Sequence, residues 1–229
     1  MLKKTNKSRI SSFTLVELIT LIALFALLTV TLVPAMNNTK DDDRKLACMN
    51  NLKKTSAALV QYSMDFDGFI PAPYDSTKKG NSRWWSGNLI EGKYITEEKD
   101  IRCPLLPLEG KNPRSETYGI SRISDTGHSN NGFYRNLEKI EVPLNNFPIV
   151  ADSVAKTETG VRQSYMWDTW YSTIGCLGVI HGEAGACNLG MADGHVVSWT
   201  NAEFVKYNKF APRKIYAGLN IKGEKVDFK

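Results

Sequence analysis

Within the fifteen residues from His181 to His195, four side chains are of types that bind zinc: His181, Cys187, Asp193 and His195. The local pattern assigns them other work. Asp193-Gly194 suits a two-residue type I′ turn between two strands, which would set Ala192 against His195, Met191 against Val196 and Gly190 against Val197. The aspartate is then accounted for by turn chemistry, and His181 by hydrogen bonding at a strand end. No metal and no cofactor is expected from this segment. The four cysteines, Cys48, Cys103, Cys176 and Cys187, contain no CxxC, so zinc-ribbon and thioredoxin-like chemistry have no support. Outside the cytoplasm an even count of cysteines defaults to disulfides. Of the three possible pairings, Cys48–Cys103 with Cys176–Cys187 is favoured. Cys48 lies four residues before Leu52 on a helix face, Cys103 opens a loop at Pro104, and Cys176 and Cys187 bracket the excursion through His181.

Other chemistry-bearing spacings are weaker. Asp65-Phe66-Asp67-Gly68 begins like a calcium loop but has Phe69 and Ser76 where further ligands belong. Nucleophile elbows, phosphate loops and HExxH are missing from the sequence, so the chain is not expected to be an enzyme. Trp84-Trp85 and the group Trp167, Trp170 and Tyr171 could stack on sugars or pack in a core. Exposed, coplanar Trp84 and Trp85 would favour a glycan-binding role.

The elements that position these residues divide the chain unevenly. Its 229 residues, 42% hydrophobic and 23% charged, describe a globular protein with an appendage. Of the net charge of +5, four cations (Lys3, Lys4, Lys7 and Arg9) sit in residues 1–12. The remainder is nearly neutral, so nucleic acid is excluded as a partner. No charge occurs from Leu18 to Met36, and a helix over 13–36 would measure about 36 Å, enough to cross a hydrocarbon layer of roughly 30 Å. The leader cations orient the N-terminus to the cytoplasm. Glu17, at the start of the apolar run, then needs a cation or an interfacial position.

Ser12-Phe13-Thr14-Leu15-Val16-Glu17-Leu18, after a basic leader and before an apolar helix containing Pro34, resembles the N-terminus of type IV pilins and type II secretion pseudopilins. The resemblance implies cleavage by a prepilin peptidase between Ser12 and Phe13, N-methylation of Phe13, and pairing of Glu17 with a neighbouring subunit's N-terminus. Ser12 stands where the family usually has Gly. His181, Asn188 and Met191-Ala-Asp193-Gly194-His195-Val196 resemble the C-terminal His, spacer and Asp-Gly signature of pilin-like proteins. The spacer here is long, with eleven residues between His181 and Asp193. Cys48-Met-Asn-Asn-Leu, Cys103-Pro104, Thr117-Tyr-Gly119 and Ala151-Asp-Ser153 fit the same group.

These readings combine into an α+β, pilin-like expectation: a long N-terminal helix, partly transmembrane, on a small antiparallel β-sheet with long loops. Its parts are a leader at 1–12, a transmembrane half at 13–36, an extramembrane half at 37–66 and a globular head at 67–229 with a C-terminal Asp-Gly hairpin. The expected function is a pseudopilin-like structural subunit, with prepilin peptidase, other pilin-like subunits and the inner membrane as partners. It would be a single-pass inner-membrane protein with a periplasmic or extracellular head. The alternative is a membrane-tethered binding protein exported by the same signal.

Overall fold

The computed structural model describes residues 14–106, 108–110, 112–121, 135–140, 142–168, 172, 174–210 and 214–228, with side chains of 29–41 and of Arg135 left aside. The chain divides into two units, Met1–Asp41 and Asp42–Lys229. In the first, helix α1 (Leu15–Asp65) starts on a reciprocal cap. Thr14 donates its N–H and its hydroxyl to Glu17 Oε2, each at 2.8 Å, and the Glu17 N–H returns to Thr14 Oγ1 at 3.3 Å. Two otherwise unpaired first-turn donors are thereby satisfied.

The transmembrane expectation is corrected here. Among the described residues no helix is long and apolar enough to cross a membrane, which overturns the single-pass inner-membrane placement.

In the second unit α1 buries Cys48, Leu52, Thr55, Ser56, Leu59 and Ser63 at three- and four-residue steps, one face of a helix. The helix gives way at Gly68 (φ +82°), whose N–H reaches Ser63 O at 2.8 Å. Among the described residues the other α-helices are α2 (Trp85–Glu91) and α3 (Asn201–Phe210). The strands are β1 (Phe69–Ile70), β2 (Gly119–Ser121), β3 (Arg135–Asn136), β4 (Pro148–Ala151), β5 (Ser153–Lys156), β6 (Val161–Gln163), β7 (Met166–Trp167), β8 (Cys176–Val179), β9 (Cys187–Met191), β10 (Val196–Trp199), β11 (Ala217–Asn220) and β12 (Lys225–Asp227).

The fold is α+β, but the expected small antiparallel sheet is replaced by two mixed five-stranded sheets, ordered β10-β9-β4-β2-β7 and β12-β11-β8-β5-β6, with a β1-β3 ribbon beside them. The pilin-like fold loses its support with it. The expected sheet was antiparallel, whereas long connections bring β2 beside β7 and β8 beside β11 in parallel. The chain also passes repeatedly between sheets. One residue, Asp152, separates β4 in the first sheet from β5 in the second, and residues 180–186 carry β8 back to β9.

The C-terminal hairpin differs from expectation by one register step. Val196 pairs with Gly190 and Val197 with Leu189. Met191 O accepts from the Gly194 N–H and the Met191 N–H donates to His195 O, so Ala192, Asp193 and Gly194 form a three-residue loop. Gly194 (φ +89°) takes the left-handed position that such a loop requires, in place of the two-residue I′ turn.

Candidate metal centre

Four residues far apart in sequence converge inside the second unit. Cys48 lies on the buried face of α1. Cys103 follows a short 3₁₀ turn (Glu98–Ile101), Asp152 is the link between β4 and β5, and His181 follows β8. Their ligand atoms lie within 4.8 Å of one another, and all four side chains are buried. Cys48 Sγ is 3.1 Å from Asp152 Oδ1, Cys103 Sγ is 3.5 Å from His181 Nε2, and Asp152 Oδ2 is 3.0 Å from that same Nε2.

Local structure explains each position. His181 is held by backbone hydrogen bonds with Ala186 in both directions, at 3.0 and 2.7 Å. Asp152 donates its N–H to Asn188 O and accepts at its own carbonyl from the Gly178 N–H, each at 2.9 Å, so both sheets fix its backbone. Asn188 N–H reaches Asp152 Oδ2 at 2.9 Å, and Asn188 Nδ2 points at Cys48 Sγ at 3.3 Å. The Tyr118 hydroxyl is 2.9 Å from Cys48 O and 3.3 Å from Cys48 Sγ.

Burial shapes the protonation of this cluster. It pushes the Cys48 thiol well up, reinforced by Cys103 and by the charge of Asp152, with a hydrogen bond to His181 working the other way. Burial alone would lower the His181 pKa, but hydrogen bonds to Asp152 and Cys48, with the charges behind them, hold it at about 10. Burial likewise raises the Tyr118 hydroxyl.

The geometry does not suit nucleophilic catalysis. A Cys–His–Asp relay addresses the thiol with one imidazole nitrogen and the carboxylate with the other. Here Cys103 and Asp152 both face Nε2, and both thiols are sealed from solvent. Convergence on one point is what ligands of a common centre do.

The positions expected from sequence separate into groups. Ser12 and Phe13 lie outside the described residues. Glu17 serves the helix cap. The four cysteines are buried free thiols, so neither Cys48–Cys103 nor Cys176–Cys187 is bonded. The physical reason differs for the two pairs. Cys48 and Cys103 are neighbours engaged with Asp152 and His181, whereas Cys176 opens β8 of one sheet and Cys187 opens β9 of the other, directing their thiols to the Val154 and Asp152 carbonyls. His181 joins the cluster, while Cys187, Asp193 and His195 do not belong to it. Asp193 Oδ1 instead accepts from the His195 N–H at 3.1 Å and lies 2.6 Å from His195 Nδ1, an exposed turn interaction.

Asp152 was missed as a site residue, although a carboxylate beside the apolar run Pro148–Ala151 is a signal in itself. A buried charge requires a partner.

The aromatic pair is not a stacking platform. Trp85 is 0% exposed and donates Nε1–H to Tyr165 O at 2.9 Å. Trp84 is half-buried and edge-on to Tyr74 and Tyr165. Trp167 is buried, and Trp170 and Tyr171 lie outside the described residues.

No family model, curated protein or solved structure matches the chain.

Proposed function

We propose that this chain is a non-catalytic structural subunit, trimmed by a prepilin peptidase before Phe13 and assembled side by side with copies or related subunits into a pseudopilus-like fibre. The observation that supports this reading is the apolar exposure of α1 from Leu15 to Leu28. Ten large apolar side chains there face outward on every side of the helix, from Leu15 at 74% to Leu21 at 42% exposure. Fully covering each one would contribute about 1.5–3 kcal/mol. A helix apolar all round requires neighbours all round. Copies of the same helix meet that requirement, and the resemblance around Phe13 and Glu17 implies the same use.

The test is chemical crosslinking of the full chain, with the mature N-terminus read by mass spectrometry. The expected results are an N-methylated Phe13 and a ladder of crosslinked oligomers. The ladder should shrink to monomer when Leu18, Ile22 and Phe25 are replaced together by Ser. An unprocessed Met1, or a ladder unchanged by the triple replacement, would overturn the reading.

A further inference from the structure

We propose that Cys48, Cys103, Asp152 and His181 bind one zinc-type divalent cation in a closed, four-coordinate site. Two thiolates, one imidazole and one carboxylate form a borderline-soft donor set that suits zinc and disfavours calcium or magnesium. The spacing fits as well. Zinc bonds of about 2.0–2.3 Å in a tetrahedron place ligand atoms about 3.3–3.8 Å apart. One ligand atom from each residue lies within 4.8 Å of the others; Cys103 Sγ is 3.5 Å from His181 Nε2, and the two oxygens of Asp152 reach Cys48 Sγ at 3.1 Å and His181 Nε2 at 3.0 Å. Seating an ion therefore asks for side-chain adjustments about ligands that already converge.

The surroundings complete the arrangement expected around such a ligand set. Asn188 Nδ2 aims at Cys48 Sγ, a donor that stabilises a thiolate rather than a thiol, and the single Tyr118 hydroxyl proton lies between Cys48 O at 2.9 Å and Cys48 Sγ at 3.3 Å. The backbone N–H of Asn188 steadies the carboxylate of Asp152. Binding is balanced by proton release: the two thiols each give up a proton to solvent and the ion takes their place, while His181 binds through the Nε2 lone pair of its neutral ring. The ion, two thiolates and the carboxylate leave one net negative charge, which these three donors face. All four ligands are buried, leaving no open position for a substrate, so the centre is structural. It would join the helix face at Cys48, the loop at Cys103 and both crossings between the sheets.

The experiment is metal analysis of the full chain, purified under reducing conditions without chelator, together with cobalt(II) reconstitution of protein stripped of metal. The expected result is one zinc per chain, and for cobalt both thiolate charge-transfer bands and the intense visible bands of a tetrahedral site. Cys48→Ser and Cys103→Ser should each abolish stoichiometric zinc, whereas Cys176→Ala should retain it. Tyr118→Phe, which removes only the hydroxyl, should weaken zinc binding about tenfold or more.

Should the cysteine variants fail to fold, the wild-type cobalt spectrum still decides. Octahedral or absent cobalt bands would overturn the proposal. So would a Cys48–Cys103 disulfide in the isolated protein, or full reactivity of both thiols with a maleimide in the presence of zinc. This centre is independent of the assembly reading, since crosslinking and metal content respond to different residues.

Discussion

Asp152 and His181, which stand at two crossings between the sheets, meet with Oδ2 3.0 Å from Nε2. Both are buried, so each depends on the other to satisfy its charge. Asp152→Ala leaves His181 without its partner and should cost about 3–5 kcal/mol, whereas Asp152→Asn keeps a hydrogen-bonding side chain and should cost less. Urea unfolding followed by circular dichroism measures both. Equal midpoints for wild type and Asp152→Ala would show that the pair does not hold the crossings together.

Gly190 lies where α1 approaches the first sheet. A Cβ there would stand 2.1 Å from Ser56 Oγ and 2.7 Å from Val150 Cγ1, closer than atoms can pack. Gly190→Ala should therefore destabilise the second unit by about 1–3 kcal/mol. Ser56→Gly in the same chain should recover part of that loss, because it removes the nearer obstruction. A double-mutant cycle on thermal unfolding reads the coupling, and strict additivity would contradict the contact.

The tip of the C-terminal hairpin depends on the left-handed backbone of Gly194 (φ +89°). Gly194→Val should cost about 1–2 kcal/mol or more, and Gly194→Asn substantially less, because asparagine tolerates this region. Thermal melts of the two variants rank them. Equal melting points would show that the hairpin tip does not depend on a left-handed residue at 194.

Helix α3 is capped like α1. Glu203 Oε2 accepts the Thr200 N–H at 2.8 Å as well as the Thr200 hydroxyl, and these hydrogen bonds hold the Glu203 carboxyl below its ordinary pKa of 4.5. A carboxyl lowered by folding stabilises the fold above its unfolded pKa and loses that contribution as pH falls through the folded value. Glu203→Gln should thus lose that contribution at neutral pH and flatten the stability profile below about pH 4.5, where the two proteins converge. Thr200→Ala should cost about 1 kcal/mol at neutral pH. Denaturant titrations from pH 3 to 7 test both, and identical acid limbs for wild type and Glu203→Gln would remove the assigned role.

The Thr14–Glu17 cap separates two uses of Glu17. Glutamine also serves in a capping box, so Glu17→Gln keeps the helix start but removes the charge, whereas Glu17→Ala removes both. Pairing with a neighbour's Phe13 amine predicts that both variants lose crosslinked oligomers. A purely local cap predicts loss in Glu17→Ala alone.

Local physics was legible in the residues themselves. The 3-4 spacing from Leu52 to Ser63 marks the buried face of α1, Gly68 marks its end, and Asp193-Gly194 marks a reversal between strands. Each depends on neighbours a few positions away, where side-chain periodicity and backbone preference act directly. What lay beyond that range was decided by the tertiary structure. The parallel pairings β2–β7 and β8–β11 join strands separated by long connections, and no local pattern distinguishes them from hairpins. Even the turn at Asp193 required the pairing of Met191 with His195 to settle its length. The gathering of Cys48, Cys103, Asp152 and His181 is the clearest case. Spacing along the chain had grouped His181 with Cys187, Asp193 and His195, while the crossings between sheets placed His181 beside Asp152, Cys48 and Cys103 instead. Coordination and hydrogen bonding act over a few ångströms of space, and only the folded chain sets which residues share them.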